Sequence, residues 1–197
     1  ILRLAGDVLV VANGGIRTHP DHGRDKLNLD TMQPNLTYLT IADGPEEIVE
    51  LDPELHHASI RHLAEQDGTV AFAMQWQGDL PDPVPLLGLH RRGEDPILCS
   101  ADLGEQLAME GYAGSVAISG DLAAITSPRG GRVHLFGLDG SFAGAVQRRD
   151  VCGLAASTNG LLITDGMGGV LQVQGNQAAP LRVADRAWDN HVVQITA

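Results

Sequence analysis

Within the stretch RTHPDHGRDK at 17–26 the chain sets His19, Asp21, His22, Arg24 and Lys26 close together. Imidazole and carboxylate suit a transition metal such as zinc, copper or iron, and guanidinium suits a carboxylate or phosphate ligand. The spacing His19-x-x-His22 with Asp21 between makes these three the candidate metal ligands. A second group, His56, His57, Arg61 and His62, offers the same chemistry about thirty residues on. All nine residues are candidate binding residues, and none is assigned a catalytic role. A plainer reading stands beside this one: a long loop needs internal polar ties, and His and Asp supply them by bonding loop backbone. Lys26 is the only lysine in the chain and carries no catalytic motif. No GxSxG elbow, HExxH helix, P-loop or GxGxxG after a strand occurs. Ser127 to Gly131 reads as a hairpin. Asp165 to Gly169 is glycine-rich but lacks the following helix that would make it an anion cradle.

These groups act together only if the chain brings residues 19–26, 56–57 and 61–62 to one place, and its turns suggest how. Gly6-Asp7 precedes VLVVAN, Asp67-Gly68 precedes TVAFAM, Gly120-Asp121 precedes LAAITS and Asn159-Gly160 precedes LLITDG. Each is a hairpin signal feeding an apolar, partly β-branched run. A second class of turn follows these runs at Asn13-Gly14-Gly15, Gly78-Asp79, Arg129-Gly130-Gly131 and Gly168-Gly169. A third closes each unit at Asp43-Gly44, Arg92-Gly93, Asp139-Gly140 and Gly175-Asn176. Each unit therefore reads as four antiparallel strands, the signature of a propeller blade, with a β-sandwich as the competing fold.

The expected blades are 1–52, 53–101, 102–150 and 151–187, with a closing strand at 188–197. The excess length falls in Ile16 to Pro34, in Trp76 to Pro85 and in a helical connector at Asp102 to Glu110. There Asp102 and Glu105 have capping-box spacing. Successive turns in such a blade alternate between faces. The 16–34 insertion and the 52–58 connector should then share a face, with Arg61 and His62 on the innermost strand beside the central channel. Phe72, Val116, Val133, Leu135, Phe136 and Leu154 should be buried between blades.

The 197 residues are enough for a substantial core. With 24 glycines and 10 prolines spread along the chain, a helical bundle is a poor fit. A formal net charge of −12 repels phosphate backbones and anionic lipid heads, which argues against nucleic acid and membrane partners. Only Cys99 and Cys152 occur, outside any metal-ligand spacing, and they read as two buried thiols or, in an exported protein, one disulfide.

The stretches VANGGIRTHPDHGRDKLNLDTMQPNLTYL at 11–39, SIRHLA at 59–64, GYAGSVAIS at 111–119, SPRGGRV at 127–133, CGLA at 152–155 and WDNH at 188–191 carry a resemblance. Across nearly its whole length the chain resembles a bacterial family of exported β-propellers catalogued only as a domain of unknown function. The resemblance implies further blades upstream, so that these four are the C-terminal part of a ring of about seven. It also implies a twin-arginine export signal, a periplasmic location and a genomic setting near imelysin-type, iron-regulated envelope proteins. The family has no established catalytic residues to carry over. The expected function is thus a non-catalytic propeller binding a protein partner or small ligand on its insertion face, more readily without a cofactor than with a transition metal. The alternatives are a metal-assisted or lactonase-like hydrolase with its site at the channel, and a structural scaffold.

Overall fold

A computed structural model describes residues 1–80, 82–193 and 195. The chain forms four sheets, each from one continuous stretch: β1 (Leu2–Arg3), β2 (Val8–Asn13), β3 (Asn35–Thr40) and β4 (Gly44–Glu50); β5 (Ala58–Gln66), β6 (Thr69–Trp76), β7 (Leu87–His90) and β8 (Ile97–Cys99); β9 (Ser115–Ser119), β10 (Leu122–Ser127), β11 (Arg132–Gly137) and β12 (Phe142–Gln147); β13 (Val151–Ser157), β14 (Gly160–Asp165), β15 (Gly169–Gln174) and β16 (Gln177–Val183). Within a sheet each strand pairs with its neighbours in sequence, and every pairing between them is antiparallel. Strands hold about 49% of the chain, as the turn pattern requires. At the β5–β6 hairpin both Asp67 (φ 52°) and Gly68 (φ 80°) take the left-handed backbone that a type I′ turn needs.

The first strands of consecutive sheets, β1, β5, β9 and β13, pack side by side and form the inner wall. The faces of consecutive sheets meet through three apolar clusters. Val10, Leu36 and Tyr38 meet Ile60, Phe72 and Met74; Ala73, Leu87 and Leu89 meet Ile118, Ile125 and Phe136; Val133 and Leu135 meet Leu154, Leu161 and Ile163. The six side chains expected between blades are all buried. Gly88 is required by one of them, because a Cβ there would lie 2.0 Å from the Phe72 ring.

Three local features differ from the expectation. Helix α1 (Leu103–Ala108) forms where expected and Asp102 holds its N-cap position, but the Asp102 side chain makes no capping hydrogen bond. Glu105 turns instead to Arg132 Nε at 3.2 Å and His134 Nε2 at 3.3 Å, because the connector lies on the third sheet, whose β11 offers it these two donors. Helical backbone also extends beyond α1, in short 3-10 turns at Ala5–Asp7, Pro20–His22, Leu29–Thr31 and Pro53–Leu55. Of the closing strand expected at 188–197, residues 188–193 run without strand pairing, and 194, 196 and 197 lie outside the described residues.

Cys99 and Cys152 are unpaired and buried. Burial, with Asp139 adding to it, pushes the Cys99 thiol up to about 12, which keeps it protonated and unreactive.

Candidate functional site

Because strands alternate in direction, the β2–β3 and β4–β5 connections and their counterparts leave one end of the sheets. We call this end the loop face. The insertion between β2 and β3 is pinned at its root by Asn28, whose Nδ2 donates to Gly15 O at 2.9 Å while its Oδ1 accepts from Arg17 N at 2.6 Å. Gly15 (φ 72°) cannot carry a side chain, since a Cβ would sit 2.9 Å from Pro34 N. Within the loop the His19 and His22 rings stand edge to face, 6.0 Å apart. His19 Nδ1 accepts from the Asp21 amide at 3.2 Å and lies 3.5 Å from the Asp21 carboxylate. The amide bond caps the Pro20–His22 turn. Arg24 and Lys26 point into solvent.

In the connector, the His56 and His57 rings lie 3.9 Å apart, and His57 meets the Trp76 ring edge to face at 5.6 Å. His56 Nδ1 donates to Pro53 O at 2.9 Å, whereas His57 Nε2 is buried with no protein partner. A cavity of about 490 Å³ separates the C-terminal limb of the insertion from this connector, lined by Asp30, Met32, Gln33, Glu50 and His56 among others. Insertion and connector therefore share one recess. His56 reaches it, while the limb bearing His19 to Lys26 does not line it.

Arg61 and His62 stand on β5, where the pairing with β6 shifts between Ile60 and His62 and leaves Arg61 as an extra, bulged residue. Strict alternation would send neighbouring side chains to opposite faces. The bulge lets Arg61, His62 and Leu63 all line a cavity of about 290 Å³ against the inner wall, with Ser115 and Val116 of β9 and Leu154 of β13. The His62 ring meets that of His191, 5.1 Å away between centroids. Burial, then the nearby His191 and Arg61, lowers the His62 pKa to about 4. We predict that the His62 ring protons will not titrate between pH 8 and 5.5 when followed by NMR, and that Arg61→Gln will raise the midpoint. A midpoint near the ordinary histidine value, about 6.5, would show the ring to be solvated.

Sequence reasoning missed a third group, on the loop face of the third and fourth sheets. The Arg129 guanidinium lies over the Tyr112 ring at 4.5 Å, and Asn190 Nδ2 donates to Tyr112 Oη at 3.3 Å. Together with Asp150 and Trp188 they line another cavity of about 290 Å³. The signal was present in the WDNH stretch, but nothing local shows which sheet Trp188 and Asn190 join. Among the described residues, no group of three or more His, Cys, Asp or Glu side chains is arranged to hold a metal ion.

Four four-stranded antiparallel sheets, stacked face to face around a wall of first strands and carrying their long loops at one end, define a β-propeller. Residues 1–195 match one family model throughout, and the chain belongs to that family, described as "Protein of unknown function (DUF1513)". No match is found among the curated proteins. Among solved structures, the WD40 β-propeller domain of Doa1 is similar at 11% identity and a TM-score of 0.50, over 74% of this chain and 48% of that one. A protein of unknown function from Bacteroides caccae aligns at 10% identity and a TM-score of 0.49, over 90% of this chain and 58% of that one. The glutaminyl cyclase of Myxococcus xanthus aligns at 13% identity and a TM-score of 0.42, over 74% and 62%. The chain thus spans between about half and under two thirds of the length of these structures. Among the described residues no helix is long and apolar enough to cross a membrane.

Proposed function

We propose that the chain is part of a non-catalytic, periplasmic binding propeller whose loop face takes a protein partner or a small ligand, within an iron-related envelope system. The observation that carries the reading is the recess of about 490 Å³ between the insertion and the β4–β5 connector, with His56 on its wall. A concave site between two loops on a rigid sheet scaffold is where propellers and related folds place recognition. The four sheets belong, in this reading, to a larger ring. Three apolar clusters serve the three interfaces between consecutive sheets. At the two ends Ile48, Leu181 and Val183 stay exposed, as faces awaiting further blades would be.

Two measurements test this. Cells expressing the full-length gene should release the protein on osmotic shock, and retention in the cytoplasm would remove the periplasmic assignment. A photo-crosslinking amino acid in place of His56 should give discrete adducts in those cells, while the same group in place of Ser141, in a turn at the opposite end, should give none. Equal labelling at both positions would overturn the loop-face reading. Stoichiometric zinc, copper or iron in protein purified without a His-tag would turn it toward a metal-assisted hydrolase.

A further inference from the structure

The wall of first strands holds a second cavity, apart from the loop-face recess, and its charge is opposite to that of the protein. On a chain of formal net charge −12, the ionisable side chains that line this space of about 290 Å³ among the described residues are Arg61, His62 and His191, and no Asp or Glu among them lines it. Two features of the backbone assemble them. The β5 bulge lets both Arg61 and His62 line the cavity. The segment after Trp188 is laid along the inner wall: Cys152 Sγ donates to Trp188 O at 3.3 Å and Asn190 lies against Tyr112. Gly153 lets the segment pass, since a Cβ there would come within 2.4 Å of Val192 and 3.0 Å of Asp189 O. His191 is thereby brought over His62 from more than a hundred residues away in sequence.

We infer that this cavity is a binding site for a small organic carboxylate, whose charge is taken by Arg61, His62 and His191 and whose carbon skeleton lies on Leu2, Leu63 and Val192. A guanidinium presents a planar fork matched to a carboxylate, and imidazolium adds a second charge-assisted donor. The apolar lining from Leu2, Leu63 and Val192 favours an organic acid over a bare inorganic anion, which would leave it unused. Burial first, and then the like charges of His191 and Arg61, disfavour protonation of the His62 ring. A bound carboxylate reverses that balance, and binding takes up a proton. Among the described residues the other facing elements, β1, β9 and β13, contribute no ionisable side chain to the cavity.

Citrate is the probe, titrated into the 197-residue chain by calorimetry at low ionic strength, with the histidine ring signals followed by NMR. One site is expected, tighter at pH 5.5 than at pH 8, with the His62 midpoint rising on saturation. Arg61→Gln should weaken it at least about tenfold. His62→Asn should abolish the proton uptake, and His22→Ala, in the distant insertion, should change nothing. Absence of heat and ring shifts at about 10 mM citrate would overturn the proposal, since weaker binding than that is not a site. So would wild-type affinity in Arg61→Gln, or loss of binding in His22→Ala. Inorganic phosphate binding as tightly as citrate would overturn the assignment to an organic acid.

Discussion

Replacing Phe136 by alanine is expected to destabilise the chain by about 3 to 5 kcal/mol, the range for removing a large aromatic ring from a packed interior. Phe136 is 1% exposed and lies in the cluster joining the second and third sheets, beside Leu89, Ile118 and Ile125. Its ring meets Phe142 at 5.5 Å and His134 at 6.0 Å, so the substitution removes aromatic contacts as well as buried area. The strands around it are paired on both sides and cannot close over the space left behind, which places the effect in the upper part of that range. Urea unfolding should show a lower midpoint at unchanged slope, since the variant alters stability and not the surface exposed on unfolding. A control is Leu103→Ala on helix α1, where 63% exposure predicts a change within about 0.5 kcal/mol. If the two variants melted alike, the β11 side chain would not be at an interface between blades.

The hairpins around Asp67-Gly68 and Gly120-Asp121 were legible in the sequence because a two-residue turn is a local event. Its glycine, its polar partner and the apolar runs on either side lie within about a dozen residues. Sixteen strands follow from reading such turns in register. The site was legible only as far as topology alone carries. Two connections on the same end of the sheets must lie near each other, and the insertion and the β4–β5 connector do share a recess. Which side chains enter it depends on the path of the loop. His19 and Asp21 are held by their own turn, and His56 faces the recess instead.

The channel cluster was half visible. Arg61 and His62 could be placed on the innermost strand, but periodicity predicts opposite faces for neighbours and gives no sign of a bulge. Nothing within the tail indicates that His191 will lie on His62. That contact follows from the missing Cβ of Gly153 and from the Cys152 bond to Trp188 O, both more than thirty residues away in sequence. The buried pair of Tyr38 and His90, with Tyr38 Oη 2.7 Å from His90 Nδ1, was invisible for the same reason: it joins the first sheet to the second.

Asp165 explains the glycine-rich turn after β14, and its removal should have the second large effect. The carboxylate is fully enclosed and accepts from Met167 N at 2.9 Å, Gly169 N at 2.8 Å and Arg148 Nε at 2.7 Å. Gly169 is required by this packing, because a Cβ would lie 2.4 Å from Asp165 Oδ2, and Gly168 (φ 90°) lets Ala184 O approach. The glycines thus wrap the chain's own carboxylate where a phosphate loop would wrap a ligand. Burial pushes the Asp165 pKa up, but the Gly169 amide, the Arg148 guanidinium and the Met167 amide together outweigh it and hold the carboxyl below its ordinary value. A folded pKa below the unfolded one, about 3.9, contributes stability that is complete above that pH and lost as pH falls through the lower folded value. Asp165→Ala should therefore cost about 3 kcal/mol at pH 7, the lower end for breaking a buried pair because Arg148 keeps partial access to water. Asp165→Asn keeps the shape but loses the charge. Its deficit relative to wild type in urea unfolding should be largest at pH 7, hold down to about pH 5, and shrink as the pH drops below about 4. A deficit independent of pH would mean that the amide geometry, and not the carboxylate charge, ties Arg148 and the β14–β15 turn together.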